Sequence, residues 1–451
     1  MSDLLFLAER YWHRFETFFL LLSAVLAGVV IFAFDLAGVL STDIKNFTWS
    51  FYGAGLLASV AAAYWWYTHR LPECTRDKIG FLVSIRSEHA QESMAIKRDF
   101  GQEIATRLKE TPIQVMQLMS PHVERVIDND SALKYSNKCR AHFHVYGDVR
   151  KRRVKNKEVY ALRLEGMVRH APTSETIRRN LSNEMAEVLP LKVNLPLEDD
   201  LTGFEFTSVW MAESAKYVIA TAAMLSNDYG LAIDLLEDLY ASRRLLEKKL
   251  KSAPAAGWKT LLKKLPERLA HAHFLAARAQ HMKWRETHAL PDLQSGWGHM
   301  RRSNDLAKSP QSYNLYQAIW LFVSARDVAG SLKSIMACVS QNIADPTWRY
   351  SAGFLEAYRG NQEKALQHYD AAMSFEAKAD LFFEIEEFIA WVLSLEPERY
   401  QMHFCLGFIN YKAKGDVMTA KQDFGLFMQK SNDGEFTKFR ARAESILNET
   451  S

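Results

Sequence analysis

The chain has 451 residues, of which 48% are hydrophobic and 24% are charged. This balance excludes wholesale disorder, a collagen-like repeat and a small disulfide scaffold. Lys and Arg number 56 against 53 Asp and Glu, so the overall charge does not indicate a nucleic-acid-binding protein. The four cysteines are widely spaced and form no Cys-x-x-Cys pair, which disfavours a zinc ribbon and fits a reducing compartment.

Two apolar runs near the N-terminus predict transmembrane helices. Residues 18–34 and residues 47–68 contain no charged side chain, and about 20 helical residues are enough to cross a bilayer core. We therefore predict a two-helix membrane hairpin at 17–68, preceded by an interfacial or cytoplasmic helix at 1–16. A cleaved signal peptide and a buried soluble hairpin are the competing interpretations of these runs.

The basic residues on either side of these runs predict the orientation of the hairpin. They flank it on both sides, whereas the loop between the runs contains only Lys45. The flanking residues are Arg10, Arg14, Arg70, Arg76, Lys78 and Arg86. Because cytoplasmic loops are enriched in Lys and Arg, both termini are expected in the cytoplasm of a multi-pass membrane protein.

Small residues recur along both runs at helical spacing. They are Ala24 and Gly28 in the first run, and Ala54, Gly55, Ala58, Ser59 and Ala62 in the second. Small residues let membrane helices approach closely. The ridges serve either packing within one hairpin or packing between protomers, in which case the chain forms a homo-oligomeric bundle.

Residues 69–206 predict a small α/β domain. Apolar runs at 79–85, 113–119, 142–149 and 158–168 suit strands, and the segments at 91–109 and 121–138 suit helices. This order predicts a partly parallel sheet. The strand–helix–strand start and the later AHFHVYGDV, which ends in Gly147-Asp148, resemble the N-terminal domain of TolB. The resemblance implies a binding or assembly module.

The densest positive charge in the chain lies in the predicted hairpin of this domain. The basic residues are Arg150, Lys151, Arg152, Arg153, Lys155 and Lys157. Such a ridge attracts phosphates, so a nucleotide, an oligonucleotide and lipid headgroups are candidate ligands. The alternative is a solvated hairpin tip whose charges protect the strand edges.

No catalytic motif, P-loop or zinc signature occurs in the sequence, so we expect neither an enzyme nor a bound metal or cofactor. His142 and His144 lie two apart on a predicted strand and are expected to share a face. We interpret them as a structural pair and not as metal ligands.

Residues 207–451 are predicted to be all helical. Within 346–378, five residues occupy positions where a tetratricopeptide repeat has small, turn or aromatic residues: Gly353, Gly360, Ala365, Tyr369 and Ala372. This half of the chain resembles tetratricopeptide-repeat (TPR) proteins. The resemblance implies an irregular α-solenoid with a concave surface that binds a protein partner. A generic helical bundle is the alternative.

Three weaker copies of this pattern occur. The first has Ala220, Asn227, Ala232, Leu236 and Leu239 at the corresponding positions. The second has Ile319, Phe322, Ser331, Ile335 and Cys338, and the third has Tyr411, Gly415, Ala420, Phe424 and Phe427. Several aromatic residues are interpreted as solenoid core, and these are Trp320, Phe322, Tyr358, Phe382, Phe383 and Trp391.

The predicted fold is therefore a membrane α-helical hairpin, a small α/β domain and an all-α TPR-like solenoid. This domain order resembles that of bacterial anti-phage effectors with two transmembrane helices. The resemblance implies a non-enzymatic effector whose cytosolic domains sense a ligand or partner and gate a transmembrane bundle or ion channel. The alternative is a membrane-tethered scaffold that recruits a protein partner.

Overall fold

The computed structural model is dominated by α-helices and contains one small mixed sheet. Apart from a few isolated residues, the parts of the chain it describes are residues 70–87, 100–118, 120–154, 157–169, 192–196, 200–249, 256–338, 347–372, 374–375, 379–432 and 434–449. The chain divides into two compact units, Met1–Leu265 and Pro266–Ser451. The helices assigned above to the solenoid from residue 207 therefore begin in the first unit.

The predicted membrane hairpin lies outside the described residues, apart from Ser23, Ser59 and Val60, which are helical. Of the small residues assigned to helix packing, only Ser59 is described; the others are Ala24, Gly28, Ala54, Gly55, Ala58 and Ala62. Among the helices that the structure does describe, none combines the length and the apolar character needed to cross a bilayer.

The sheet of the first unit has five strands in the order β2-β1-β3-β4-β5. The strands are β1 Ile79–Ser87, β2 Ile113–Gln117, β3 Ala141–Val154, β4 Lys157–Val168 and β5 Lys192–Pro196. Strand β1 pairs in parallel with β2 and β3, and the remaining pairs are antiparallel. The predicted strands and the partly parallel sheet are thus confirmed. Strand β1 is buried along Gly80–Ile85, as expected of an inner parallel strand.

Two helices, α1 Ser120–Val123 and α2 Asn129–Cys139, replace the single helix predicted at 121–138. The break has a local cause, because Asp128 caps α2 in a reciprocal capping box with Ser131. Helix α2 ends at Arg140, which adopts a left-handed conformation with φ 53°. Its buried residues Tyr135 and Cys139 pack on the sheet with Leu82.

The rest of the first unit contains α3 Asp200–Leu225, α4 Tyr229–Lys249 and the start of α5 Ala256–Thr287. The division at Leu265 falls within α5. The second unit continues with α6 Leu290–Leu306, α7 Pro310–Ala325, α8 Val328–Met336, α9 Thr347–Tyr358, α10 Gln362–Ala372, α11 Ala379–Leu395, α12 Gln401–Ile409, a π-helical turn Asn410–Lys414, α13 Val417–Lys430 and α14 Thr437–Glu449.

Four helical hairpins share one type of turn. Each turn has a residue with positive φ followed by Asp or Asn, whose side chain accepts a backbone N–H from three residues further on, at 2.8–3.4 Å. The residue pairs are Asn227-Asp228, Arg326-Asp327, Gly360-Asn361 and Gly415-Asp416. This turn joins α3 to α4, α7 to α8, α9 to α10, and the π-helical turn to α13.

The residues that follow these turns share one burial pattern. The fifth residue after the positive-φ position is always small and buried, and the ninth is always a large buried side chain. The small residues are Ala232, Ser331, Ala365 and Ala420; the large ones are Leu236, Ile335, Tyr369 and Phe424. One local geometry thus recurs, although the spacing between hairpins is irregular.

Two glycines let paired helices approach closely. A Cβ atom placed on Gly353 would lie 2.9 Å from the Tyr369 ring, and one on Gly407 would lie 2.8 Å from the Phe424 ring. Gly353 precedes its turn glycine, Gly360, by seven residues, whereas Gly407 precedes Gly415 by eight. The π-helical turn Asn410–Lys414 accommodates this additional residue. The contact between glycine and ring is therefore kept in both hairpins.

Replacing Gly353 by Ala should lower the thermal midpoint of the second unit by several degrees. The added methyl group overpacks a buried ring, which typically costs about 1–3 kcal/mol. The measurement is thermal unfolding of the full chain in neutral detergent, followed by tryptophan fluorescence.

Gly425→Ala is the matched control, because at this exposed helical glycine the added Cβ would meet no atom within 4 Å beyond its chain neighbours and its own helix backbone. It should leave the midpoint unchanged or raise it, since Ala favours the helix over Gly by up to about 1 kcal/mol. An equal fall of the thermal midpoint in both variants would contradict the close-contact explanation.

Candidate functional site

The basic hairpin lies at the far end of β3, beyond the part that pairs with β1. Its predicted ligand residues lie in two strands and in the connection between them. Arg150, Lys151, Arg152 and Arg153 belong to β3, Lys157 begins β4, and Lys155 lies outside the described residues. The Arg150 side chain is exposed and pairs with Asp148 at 2.5 Å. The Asp148 carboxylate thus partly neutralises the charge of Arg150. The ligand role of the basic hairpin stays a prediction.

His144 is a buried structural residue of the first unit. Its Nδ1 lies 2.9 Å from the Ser136 hydroxyl and 3.2 Å from the Ala132 carbonyl oxygen; the carbonyl can only accept, so Nδ1 carries the proton. Nε2 then accepts from the Ser84 hydroxyl at 2.7 Å. Burial lowers the pKa of His144 to about 4, which keeps the ring neutral at neutral pH. Both ring nitrogens are satisfied, so this histidine joins the sheet to α2.

The expectation that His142 and His144 share a face is wrong. The register between β1 and β3 shifts at Gly80 and Phe81, whose partners are Ala141 and Phe143, so His142 is an extra residue in a β-bulge. Its exposed ring accepts the Gly80 N–H at Nδ1, at 3.0 Å. Among the described residues, no cluster of three or more His, Cys, Asp or Glu could hold a metal ion.

Residues 70–78, which we call the junction segment, connect the predicted membrane hairpin to the sheet. Leu71 packs on the core cluster that contains Cys139. The Cys74 N–H donates to the Cys139 carbonyl at 3.0 Å. The N–H and the hydroxyl of Thr75 both donate to Gln114 Oε1 on β2, each at 3.0 Å.

The junction segment is therefore fixed to the sheet by packing and hydrogen bonds. Glu73 adds an ion pair with Arg140 at 2.9 Å, although both side chains are half exposed and such pairs contribute little stability. In the sequence, only His69 and Arg70 separate the apolar run ending at Thr68 from Leu71. Any movement of a helix at 47–68 would thus reach the sheet through a very short connection.

The second unit contains a pocket of about 160 Å³ that is lined mainly by aromatic and aliphatic side chains. We call it the aromatic pocket. Helices α5, α7, α8, α9 and α11 contribute its lining, which includes His281, Trp284, Phe322, Phe354 and Phe388. Its size is close to the ~150 Å³ of an engineered apolar cavity that binds one benzene ring.

Three buried polar atoms in or beside the aromatic pocket have no hydrogen-bond partner among the residues that the structure describes. They are His281 Nδ1, Trp284 Nε1 and the Tyr316 hydroxyl. The His281 ring lies 5.4 Å from the Trp284 ring and 5.6 Å from the Tyr316 ring, measured between centroids. Burial, together with Arg285 and Arg278, lowers the pKa of His281 to about 4. A bound group could satisfy these neutral hydrogen-bonding atoms.

Charged residues lie at the edge of the aromatic pocket. Arg285 donates to Glu384 at 2.8 Å and also pairs with Glu387, and the two carboxylates are more exposed than the guanidinium group. One arginine between two glutamates leaves an excess of negative charge here. The edge therefore favours a ligand that carries a positive charge next to its apolar part.

The aromatic residues assigned to core mostly have that role. Phe322 and Tyr358 are buried, and Trp391 contacts both Trp284 and Phe388. Phe383 is an exception, because it is 52% exposed and lies beneath the Lys414 ammonium group. The interpretation of Phe383 as buried core was wrong.

Sequence reasoning missed the polar members of the aromatic pocket. His281 and Trp284 are three residues apart and share one face of α5, and His288 follows directly after the helix ends at Thr287. The His and Trp at helical spacing, with a second His just beyond the helix, are the signal from which they could have been found.

No protein-family model matches the chain, and a search of curated proteins found none that is similar in sequence. The resemblances to TolB-like and tetratricopeptide-repeat domains therefore stay predictions.

Replacing Tyr316 by Phe should leave the thermal midpoint of the second unit unchanged or raise it. The hydroxyl is buried and has no partner in the described part of the chain, and an unsatisfied buried group costs about 1–3 kcal/mol. Thermal unfolding of the full chain is the measurement.

Tyr358→Phe is the comparison variant, because the Tyr358 hydroxyl donates to Glu396. Its midpoint should fall, since the substitution removes a hydrogen bond to a carboxylate. A larger loss in Tyr316→Phe than in Tyr358→Phe would show that the Tyr316 hydroxyl has a partner.

Proposed function

We propose that this chain is a membrane-anchored, non-enzymatic effector of bacterial anti-phage defence. In this proposal, residues 17–68 form a homo-oligomeric transmembrane bundle in the inner membrane, with both termini in the cytoplasm. The α/β domain and a TPR-like helical solenoid sense a ligand or partner, and the resulting change gates the bundle.

The observation that carries the proposal is the attachment of the junction segment. A simple tether needs only a connecting stretch of chain, whereas a gate needs a connection that transmits movement. The hydrogen bonds of Cys74 and Thr75 and the packing of Leu71 supply such a connection. Two long charge-free runs directly before it support the membrane bundle.

The TPR-like assignment is supported by the recurrent turn and by the two glycine–ring contacts. In repeat proteins, each helical hairpin packs mainly on its neighbours, and extended surfaces along the array bind partners. The repeat pattern requires two small residues and an aromatic residue here, and Gly353, Ala365 and Tyr369 match it. The proposed partner of this region is a protein.

A membrane-tethered scaffold is the second candidate function, and the aromatic pocket favours it. The pocket is large enough for one aromatic side chain, and its edge has an excess of negative charge. A partner segment with an aromatic residue next to Lys or Arg matches both properties. Under this alternative, the membrane hairpin only anchors the chain.

Insertion of a six-residue Gly-Ser linker between Arg70 and Leu71 distinguishes the gated effector from the scaffold. If the chain is a gated effector, the wild type should depolarise bacteria after phage infection and the variant should not, because the linker absorbs the movement. Membrane potential is followed with a voltage-sensitive dye before and during infection.

The same linker added after Ser451 is the control, and it should leave depolarisation intact. Both variants must fractionate with the inner membrane. Depolarisation that survives insertion at Arg70, or a wild type that never depolarises, would exclude the gated effector and leave the scaffold.

A further inference from the structure

A second pocket lies in the first unit, beside the junction segment. It has a volume of about 450 Å³, within the ~300–1,000 Å³ typical of small-molecule sites. We call it the junction pocket. Its lining residues are Cys74, Thr75, Arg76, Arg140, His142, Arg169 and Ser226.

The local backbone brings the three arginines together. Arg76 belongs to the junction segment, and Arg140 occupies the left-handed position that ends α2. Arg169 follows β4, and its N–H donates to the His142 carbonyl at 2.7 Å. Gly80 permits this convergence, because an added Cβ would lie within about 3 Å of the Arg140 carbonyl and of Cys74.

The charge of the junction pocket is strongly positive. Three guanidinium groups line it, and none of its lining residues is acidic. Arg140 is paired with Glu73. Within the described part of the chain, Arg76 and Arg169 have neither an ion pair nor a side-chain hydrogen bond. Even after Glu73 is counted, two positive charges remain.

His142 adds a neutral hydrogen-bond donor. Its Nδ1 accepts the Gly80 N–H, so in the neutral ring the proton is on Nε2. Burial and the nearby Arg169 lower the pKa of His142, which favours this neutral form. The β-bulge thus gives His142 a fixed tautomer in a wall of the junction pocket.

We propose that the junction pocket binds a phosphate-bearing ligand through Arg76, Arg140, Arg169 and His142. Guanidinium groups present paired N–H donors that match phosphate oxygens, and Arg is preferred where such recognition matters. The Nε2–H of His142 provides a further donor in the same wall, whereas the hydroxyl proton of Thr75 is already given to Gln114. This site is distinct from the basic hairpin, which lies at the other end of β3.

The position of the site suggests how its occupancy would act, and this part rests on the proposed effector function. Arg76 belongs to the junction segment, whereas Arg140, His142 and Arg169 belong to the sheet region. A phosphate held by both sets strengthens the attachment of the segment to the sheet. Ligand binding would therefore bias the state of the membrane bundle directly.

Two sources can supply the phosphate. One is a soluble phosphorylated molecule, and the other is a lipid headgroup, because Arg76 follows the apolar run 47–68 by only eight residues. Both present the same anionic oxygens, so the chemistry of recognition is shared.

The test measures pyrophosphate binding to the full chain in neutral detergent by isothermal titration calorimetry. Arg76→Gln and Arg169→Gln should each weaken binding by roughly tenfold or more, because each removes a charge-assisted contact. Neither side chain has a partner that folding needs. Arg163→Gln is the matched control, since this exposed arginine lies on β4 outside the pocket and pairs with Glu165; it should change binding less than twofold.

Nanodiscs distinguish the two sources. If pyrophosphate binds equally in phosphatidylcholine discs and in discs containing phosphatidylglycerol, the natural ligand is soluble. If phosphatidylglycerol abolishes the binding, a headgroup occupies the pocket.

No pyrophosphate binding in detergent, or equal losses in Arg163→Gln and Arg169→Gln, would overturn the proposal. Pyrophosphate binding without depolarisation in cells would leave the pocket established and exclude the effector. If depolarisation needs an intact connection but pyrophosphate does not bind, the effector stands and the phosphate site is excluded.

Discussion

Close approach of paired helices is the constraint on which the helical part of this protein depends. At Gly353 and Gly407 there is no space for a Cβ atom, because the rings of Tyr369 and Phe424 occupy it. Each ring is then completely enclosed and fills the gap between its helix and its neighbours. The positive-φ turn and its Asp or Asn cap fix the length of the connection, so each glycine meets its ring. The π-helical turn shows that the contact is kept even when the chain has one more residue.

The α/β part of the first unit depends on a comparable crossing at Gly80. Here the end of α2, the start of β3 and the junction segment come together, and the β-bulge at His142 lies at the same place. The same crossing produces the junction pocket and the attachment of the segment that leads to the predicted membrane hairpin. The crossing that organises this part of the fold is therefore also the place to which the proposed function is assigned. The basic hairpin, although it carries more charge, lies away from that point.

Much of the architecture could be predicted from the sequence, because periodicity and turn residues are local signals. Strands β1 to β4, the partly parallel sheet and the roles of Gly360, Ala365 and Tyr369 are examples, whereas β5 was not predicted. The candidate sites could not be predicted in the same way. Arg76, Arg140 and Arg169 are far apart in the chain and come together only through strand order and a bulge. The dense run at Arg150–Arg153 gave the stronger sequence signal, but charge density along a chain does not show where a concave surface forms.

The four cysteines are all buried, and none forms a disulfide. Burial raises the pKa of Cys139 to about 11 and that of Cys405 to about 12, so the reactive thiolate is scarce at neutral pH. Cys139 and Cys405 thus react slowly with thiol-directed reagents while the chain stays folded. A single exposed cysteine introduced near Arg70 would accept a fluorophore or spin label ahead of these two buried thiols. Spectroscopy could then follow the junction segment in an otherwise unaltered protein.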